Sequence, residues 1–194
     1  MEEMGERGLT GVILLGSGKS SRMGGKDKIF APILNQPLIT YSLSVINRSP
    51  HVDSIVLVLS KNGLENGRRL MRSKRWDKLI NICEGGDRRQ DSVKRGLESL
   101  PPCDWVMVHD AARPLLDLRI IALGVETAYH SNAAVAAVPV KDTIKISKEN
   151  LVIQTLNREH LWSVQTPQIF RRELLEEAHQ KVEQDVTDDA GMLE

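Results

Sequence analysis

GVILLGSGKSSRMGGKDKIF, residues 11–30, decides how the rest of the chain is read. Residues 12–15 are an apolar run with β-branched members, bounded by glycines, which is the pattern of a buried strand. Gly16-Ser17-Gly18 breaks the run, and small residues continue through Ser21. Three cations follow, Arg22, Lys26 and Lys28, with Gly24 and Gly25 between the first two. A small-residue loop directly after a buried strand lets backbone N–H groups come close to an anion. Arginine and lysine behind it match phosphate, one as a fork and the other as a point charge. The stretch therefore reads as a polyphosphate cradle, set against a plain strand–glycine–helix junction that binds nothing. Two familiar phosphate motifs are excluded. Gly18-Lys19-Ser20 ends like a Walker A loop, but Ile13 stands where its first glycine belongs. Gly16-Ser17-Gly18 starts like GxGxxG, but Ser21 replaces the third glycine.

Charge supports a small anionic ligand over a nucleic acid. The 194 residues carry 26 Lys+Arg against 26 Asp+Glu, so the formal net charge is zero and the cations are local. A chain of this length can build one large domain with a substantial core. Cys83 and Cys103 show no metal-ligand spacing and read as reduced thiols of a cytoplasmic protein. The opening MEEMGERG lacks the apolar region of a signal peptide. The longest apolar run, residues 133–140 with Pro139 inside it, is too short to span a bilayer.

Outward from the cradle, strands and helices alternate. Apolar residues at Leu38, Ile39, Leu43, Val45 and Ile46 after Pro37 predict an amphipathic helix to about Asn47. IVLVL (55–59) is a second buried strand, 62–73 a surface helix, 80–83 a short strand and 92–100 a helix. Residues 105–108 form a fourth strand, 117–130 a helix and 133–140 a fifth strand. DTIKIS (142–147) and LVIQTL (151–156) read as a hairpin around Lys148-Glu149-Asn150, either an edge hairpin or an arm pairing with a second subunit. Residues 162–168 lead back into the domain, and 171–184 have a helical pattern. This alternation predicts an α/β fold with a doubly wound, mostly parallel sheet, in a single domain over 1–194 with an inserted β-hairpin at 141–157. Ligands of such sheets lie beyond the carboxyl ends of the strands. The polar loops 16–28, 85–92 and 109–114 sit at those ends and should converge.

Asp110, closing a strand opposite the cradle, suits Mg²⁺, which takes one or two carboxylates with phosphate oxygens and water. The competing reading of Asp110 is a cap or turn former. Arg113, three residues on, suits a second anionic group. Cations, metal and polyphosphate together fit attack on a nucleotide phosphorus, where catalysis is mostly positioning and charge stabilisation. His109 is read as structural, because a phosphate-monoester nucleophile is already ionised near neutral pH.

With these residues in place, the chain resembles the 2-C-methyl-D-erythritol 4-phosphate cytidylyltransferase family of the non-mevalonate isoprenoid pathway. The resemblance covers nearly the whole chain. It is carried by Arg22-Met23, GGDRRQDSV (85–93), HDAARP (109–114), VPVKDTIK (138–145), NREHLW (157–162), QTPQIF (165–170) and TDDA (187–190), in that order. It implies a Rossmann-like nucleotidyltransferase fold, with CTP and a polyol phosphate as substrates. It implies that Arg22 and Lys28 stabilise the pentavalent phosphorus, with Lys26 as the rival lysine. Gly16, Ser17 and Gly18 would touch the nucleotide, Gly86, Asp87 and Ser92 the cytosine and ribose, and Asp110 the Mg²⁺. Arg113, Thr143, Arg158, Thr166 and Thr187 would bind the alcohol phosphate, with Thr143 and Arg158 reaching across a homodimer through the arm. The spelling of the cradle departs from the family's A-A-G-x-G-x-R-M and is also similar to the molybdenum-cofactor guanylyltransferases. Family members continue past the position of Glu194 with a strand and helix carrying a further Asp and Lys, so the chain is expected to be shortened at its C-terminus. Two alternatives stand beside this reading: a ribitol 5-phosphate cytidylyltransferase, and a nucleotide-binding module without catalysis.

Overall fold

The computed structural model describes residues 8–18, 27–73 and 76–194. Along the chain, β1 (Thr10–Gly16) is followed by β2 (Pro32–Ile33), β3 (Gln36–Pro37), α1 (Ile39–Arg48), β4 (Ser54–Leu59) and α2 (Leu64–Ser73). Then come β5 (Leu79–Glu84), α3 (Arg89–Ser99), β6 (Trp105–Asp110), α4 (Leu118–Ser131), β7 (Ala133–Pro139), β8 (Lys145–Lys148), β9 (Leu151–Thr155), β10 (Trp162–Arg171) and α5 (Arg172–Lys181). Six strands form one sheet in the order β5-β4-β1-β6-β10-β7. The first four run parallel, and β10 lies antiparallel to both of its neighbours.

The period of two along β1 builds both layers of the core. Val12 and Leu14 face one apolar layer with Ile39, Leu43 and Ile121, residues of α1 and α4. Ile13 and Leu15 face the other with Val93, Leu97 and Leu175, residues of α3 and α5. α3 crosses β1 closely because Gly96 has no side chain: a Cβ there would stand 2.6 Å from Ile13 Cγ2. α4 starts where the Asp117 carboxylate accepts the Arg119 N–H at 2.7 Å, and it stops at Asn132, whose φ of 64° turns the chain into β7.

Two sequence expectations change. Residues 162–168 are the first part of a ten-residue strand, not a connection back into the domain. Their polar residues and Pro167 disguise it, and its pairing with β7 is irregular between Val164 and Gln168. The strand read over 133–140 ends at Pro139, lies at the sheet edge and is half-covered to exposed.

The hairpin is present, with shorter strands than the alternation suggests. Glu149 and Asn150 both have positive φ, 52° and 64°, which suits the right-handed twist of a two-residue hairpin turn. Every residue of β8 and β9 is exposed, including Ile146, Leu151, Val152 and Ile153.

Candidate active site

A cleft of about 710 Å³ opens beyond the carboxyl ends of β1 and β6. All three predicted loops reach it. Gly16, Ser17 and Gly18 line one wall, Gly86, Asp87 and Ser92 another, and Asp110 and Arg113 the floor between them. Lys28, Arg88, Arg89 and Thr187 also line it. Lys28 begins a 3-10 turn (Lys28–Phe30) whose start is capped by Asp27, and burial raises the pKa of that carboxyl. Arg22 and Lys26 lie outside the described residues.

The two walls formed by residues 16–18 and 86–92 are tied together through Ser92. Its Oγ accepts from the Ser17 hydroxyl at 2.9 Å and from the Gly86 N–H at 3.0 Å, and donates to the Arg88 carbonyl at 3.2 Å. Arg95 Nη1 donates to the Gly85 carbonyl at 2.7 Å and pins the same turn from behind. Gly86 admits no side chain: a Cβ would meet Asp91 Cβ at 2.3 Å and Asp91 backbone at 3.1 Å. Arg88 also lines the cleft, its guanidinium bonding Asp91 at 2.8 Å and holding that carboxyl below its ordinary pKa.

Arg89 turns inward. Its Nη1 lies 2.5 Å from Asp189 Oδ2 and its Nη2 3.7 Å from Asp110 Oδ1. Asp189 is wholly buried, and its Oδ1 has no hydrogen-bond partner among the described residues. Burial pushes its pKa up, against the attraction of Arg89. The other oxygen of Asp110, Oδ2, accepts from Arg113 Nε at 3.0 Å. Arg113 also bonds Gln165 Oε1.

Behind Asp110 runs a chain of hydrogen bonds with one consistent direction. The Asp110 N–H donates to Thr166 Oγ1 at 3.1 Å, and that hydroxyl lies 3.1 Å from His109 Nδ1. His109 Nε2 lies 3.2 Å from the Arg113 carbonyl, an acceptor, so Nε2 carries the proton and Nδ1 accepts from Thr166. The imidazole is kept neutral by its burial. It is wholly buried, and burial lowers its pKa to about 4. This arrangement supports the structural reading of His109.

Thr187 reaches the cleft on a segment strapped down by two buried glutamines. Gln90 Nε2 donates to the Gln184 carbonyl at 3.0 Å, and its Oε1 accepts the Val186 N–H at 3.2 Å. Gln168 Oε1 accepts the N–H groups of Asp189 and Ala190 at 3.1 and 3.2 Å, while its Nε2 donates to Asp188 Oδ2 at 2.8 Å. None of Arg89, Gln90, Gln168 and Asp189 was singled out from the sequence. All four stand inside recognised motifs, but spacing alone does not say which arginine or aspartate turns inward.

The remaining predicted residues lie apart. Thr166 borders a second cavity of about 680 Å³, which Arg113 lines as well as the cleft, walled by Leu115, Ile120 and Leu123 on one side and Val135 and Val138 on the other. Thr143 and Arg158 line neither cavity of their own chain. Arg158 Nη1 donates to the Lys141 carbonyl at 2.6 Å.

Among the described residues no cluster of three or more His, Cys, Asp or Glu side chains offers a metal cage. Asp110 supplies one carboxylate in the cleft, with Oδ1 outside hydrogen-bond distance of any arginine nitrogen given above. That donor set fits a Mg²⁺ shared with bound phosphate oxygens and water.

A parallel sheet with a small-residue loop after its central strand, a carboxylate at the neighbouring strand end and cations around the cleft define an α/β nucleotidyltransferase. The sequence profile of the 2-C-methyl-D-erythritol 4-phosphate cytidylyltransferase family matches residues 10–194. The chain belongs to that family. It is 48% identical over 185 residues to the 2-C-methyl-D-erythritol 4-phosphate cytidylyltransferase of Dehalococcoides mccartyi, covering 95% of this chain and 82% of the relative. It superposes on the 4-diphosphocytidyl-2C-methyl-D-erythritol synthase of Anaerococcus prevotii with a TM-score of 0.83 at 24% identity, covering 95% of this chain and 80% of that one, which speaks for the fold. The corresponding cytidylyltransferase of Thermus thermophilus gives a TM-score of 0.73 at 28% identity, covering 95% of this chain and 82% of that one.

Proposed function

We propose that this chain transfers the cytidylyl group of CTP to 2-C-methyl-D-erythritol 4-phosphate in isoprenoid precursor synthesis. A phosphate oxygen of the alcohol attacks the α-phosphorus, the bond from that phosphorus to the β-phosphate bridge breaks, and pyrophosphate leaves with the CDP-alcohol remaining. The observation that carries the reading is the meeting of the three loops in one cleft, in a chain 48% identical to a named enzyme of this activity.

The attacking phosphate is a dianion for much of the neutral range, so no residue is needed to remove a proton. That agrees with a neutral His109 buried behind the site. Lys28 and Arg22 meet the charge that develops on the phosphorus. Gly16, Ser17 and Gly18 hold the triphosphate, and Gly86, Asp87 and Ser92 hold cytosine and ribose. Asp110 would hold a Mg²⁺ that neutralises triphosphate charge. Arg113, Thr166 and Thr187 receive the alcohol phosphate.

Thr143 and Arg158 serve the site of a second copy in a homodimer joined through the arm at 141–157. The exposed apolar residues of β8 and β9 support this, as does the apolar cavity bordering Arg113 and Thr166. Among the described residues no helix is long and apolar enough to cross a membrane. The cytoplasm is the proposed compartment.

Pyrophosphate release with CTP tests the function. The expected result is turnover with 2-C-methyl-D-erythritol 4-phosphate at least tenfold above that with ribitol 5-phosphate, about 1.4 kcal/mol of discrimination. Preference for ribitol 5-phosphate would move the chain to the ribitol enzyme. Tight CTP binding without turnover of either alcohol would make it a binding module.

A further inference from the structure

We propose that Asp189 is a positioning residue that holds Arg89 back from Asp110, so that Asp110 Oδ1 stays free for a cation arriving with the nucleotide. The proposal rests on the reading of Asp110 as the cation-holding residue.

The burial of Asp189 is unusual for a carboxylate. A carboxylate that is wholly buried, with one oxygen unpartnered among the described residues, is a poor device for stability, because desolvation offsets much of the attraction of its pair. Its effect is geometric. Arg89 enters the cleft from the first turn of α3 and faces two carboxylates, Asp189 at 2.5 Å and Asp110 at 3.7 Å. Asp189 takes the hydrogen bond and Asp110 does not. Asp189 itself does not shift, because its N–H is fixed by Gln168 Oε1 at 3.1 Å.

Asp110 Oδ2 is already occupied by Arg113, which leaves Oδ1 as the oxygen available to a cation. A second guanidinium hydrogen-bonded to Oδ1 would close Asp110 to metal. The pair Asp189–Arg89 prevents that, while the charge of Arg89 remains in the cleft lining.

Removing the charge of Asp189 leaves Asp110 as the carboxylate nearest Arg89, and the guanidinium closes on Oδ1. Moving one charge pair from 3.7 Å to hydrogen-bond contact, at an effective dielectric of about 20, corresponds to about a tenfold change in an equilibrium constant.

The test is calorimetric titration of the intact chain with CTP, in excess Mg²⁺ and in EDTA. For Asp189→Asn, affinity for Mg·CTP should fall about tenfold, while affinity for CTP in EDTA changes less than threefold. Adding Arg89→Gln to Asp189→Asn removes a cleft cation and lowers CTP affinity with and without Mg²⁺, but it should restore the Mg²⁺-dependent gain in CTP affinity to within threefold of wild type, which a purely structural role of Asp189 would not do. Unchanged Mg·CTP affinity in folded Asp189→Asn overturns the proposal, as does a double variant whose Mg²⁺-dependent gain is no better than that of the single one. If Asp189→Asn does not fold, the neutral double variant and a wild-type crystal structure with Mg·CTP decide. Arg89 on Asp189 and off Asp110 Oδ1 supports the proposal, and Arg89 bonded to Asp110 Oδ1 overturns it. Asp110→Asn is the control for the underlying reading: if it leaves the Mg²⁺-dependent gain in CTP affinity intact, Asp110 does not hold the cation, and that failure is separate from the failure of Asp189.

Discussion

Ser17 Oγ donates to Ser92 Oγ across 2.9 Å and joins the loop after β1 to the first turns of α3. The wall formed by residues 16–18 and the wall that carries Gly86 and Ser92 are therefore one hydrogen-bonded unit. Ser92 is its hub, since it also receives the Gly86 N–H.

Ser92→Ala leaves the Gly86 N–H and the Ser17 hydroxyl without their acceptor. Stranding such groups costs ~1–3 kcal/mol, so the Kd for CTP should rise at least fivefold. Ser17→Ala removes one donor and leaves the hub intact, so its effect should be smaller. Calorimetric titration with CTP checks both, and unchanged affinity in Ser92→Ala removes this residue from the nucleotide site.

Lys28→Ala should lower kcat far more than it weakens CTP binding, because its charge is matched to the transition state. Loss of one such contact costs on the order of 100- to 1000-fold in rate. Steady-state kinetics alongside Lys26→Ala decides between the two lysines. A loss confined to Lys26→Ala moves the role to that residue.

His109 makes stability depend on acid. Its folded pKa is about 4 against an ordinary 6.5, so between these values the unfolded chain binds the proton and the folded chain does not. Its contribution is fully present above about pH 6.5 and is lost as pH falls through this window. The loss reaches about 3 kcal/mol near pH 4, from a shift of roughly 2.5 units at 1.36 kcal/mol each. Urea unfolding from pH 7 to pH 4.5 should show a slope for wild type that is shallower in His109→Gln. Equal slopes would place the acid sensitivity on other groups.

A shared site predicts complementation. Lys28→Ala and Arg158→Ala chains should each be nearly inactive. After subunit exchange, each heterodimer has one site with both defects and one with neither, so activity should return to about a quarter of wild type under random pairing and two-fold symmetry. No recovery after exchange, confirmed by mass spectrometry of the mixed dimers, would mean that Arg158 acts in its own chain or not at all.

Much of this fold is legible in the chain because its signals are local. The apolar runs at 12–15, 55–59 and 105–108 alternate with amphipathic stretches, and a mostly parallel sheet follows from that pattern alone. Once the strands are parallel, their carboxyl ends lie on one edge. This is why loops 69 and more residues apart could be assigned to one cleft from the sequence, as Gly16 or Ser17 with Gly86 and Asp110.

What the tertiary structure decided depends on partners distant in sequence. β10 carries few local strand signals, because Gln168 is buried for its bonds to 188–190 and not for its hydropathy. Arg88 and Arg89 are neighbours of identical chemistry. The phase of α3 against the sheet, set by the close approach of Gly96 to Ile13, goes with Arg88 pairing with Asp91 and Arg89 pairing with Asp189 beside Asp110. Asp189 lies 100 residues from Arg89, and only packing brings that carboxylate into the interior beside it. Hydrophobic periodicity specifies which face of an element is covered. It carries no record of which polar side chain meets which across the fold, because that depends on where the elements land.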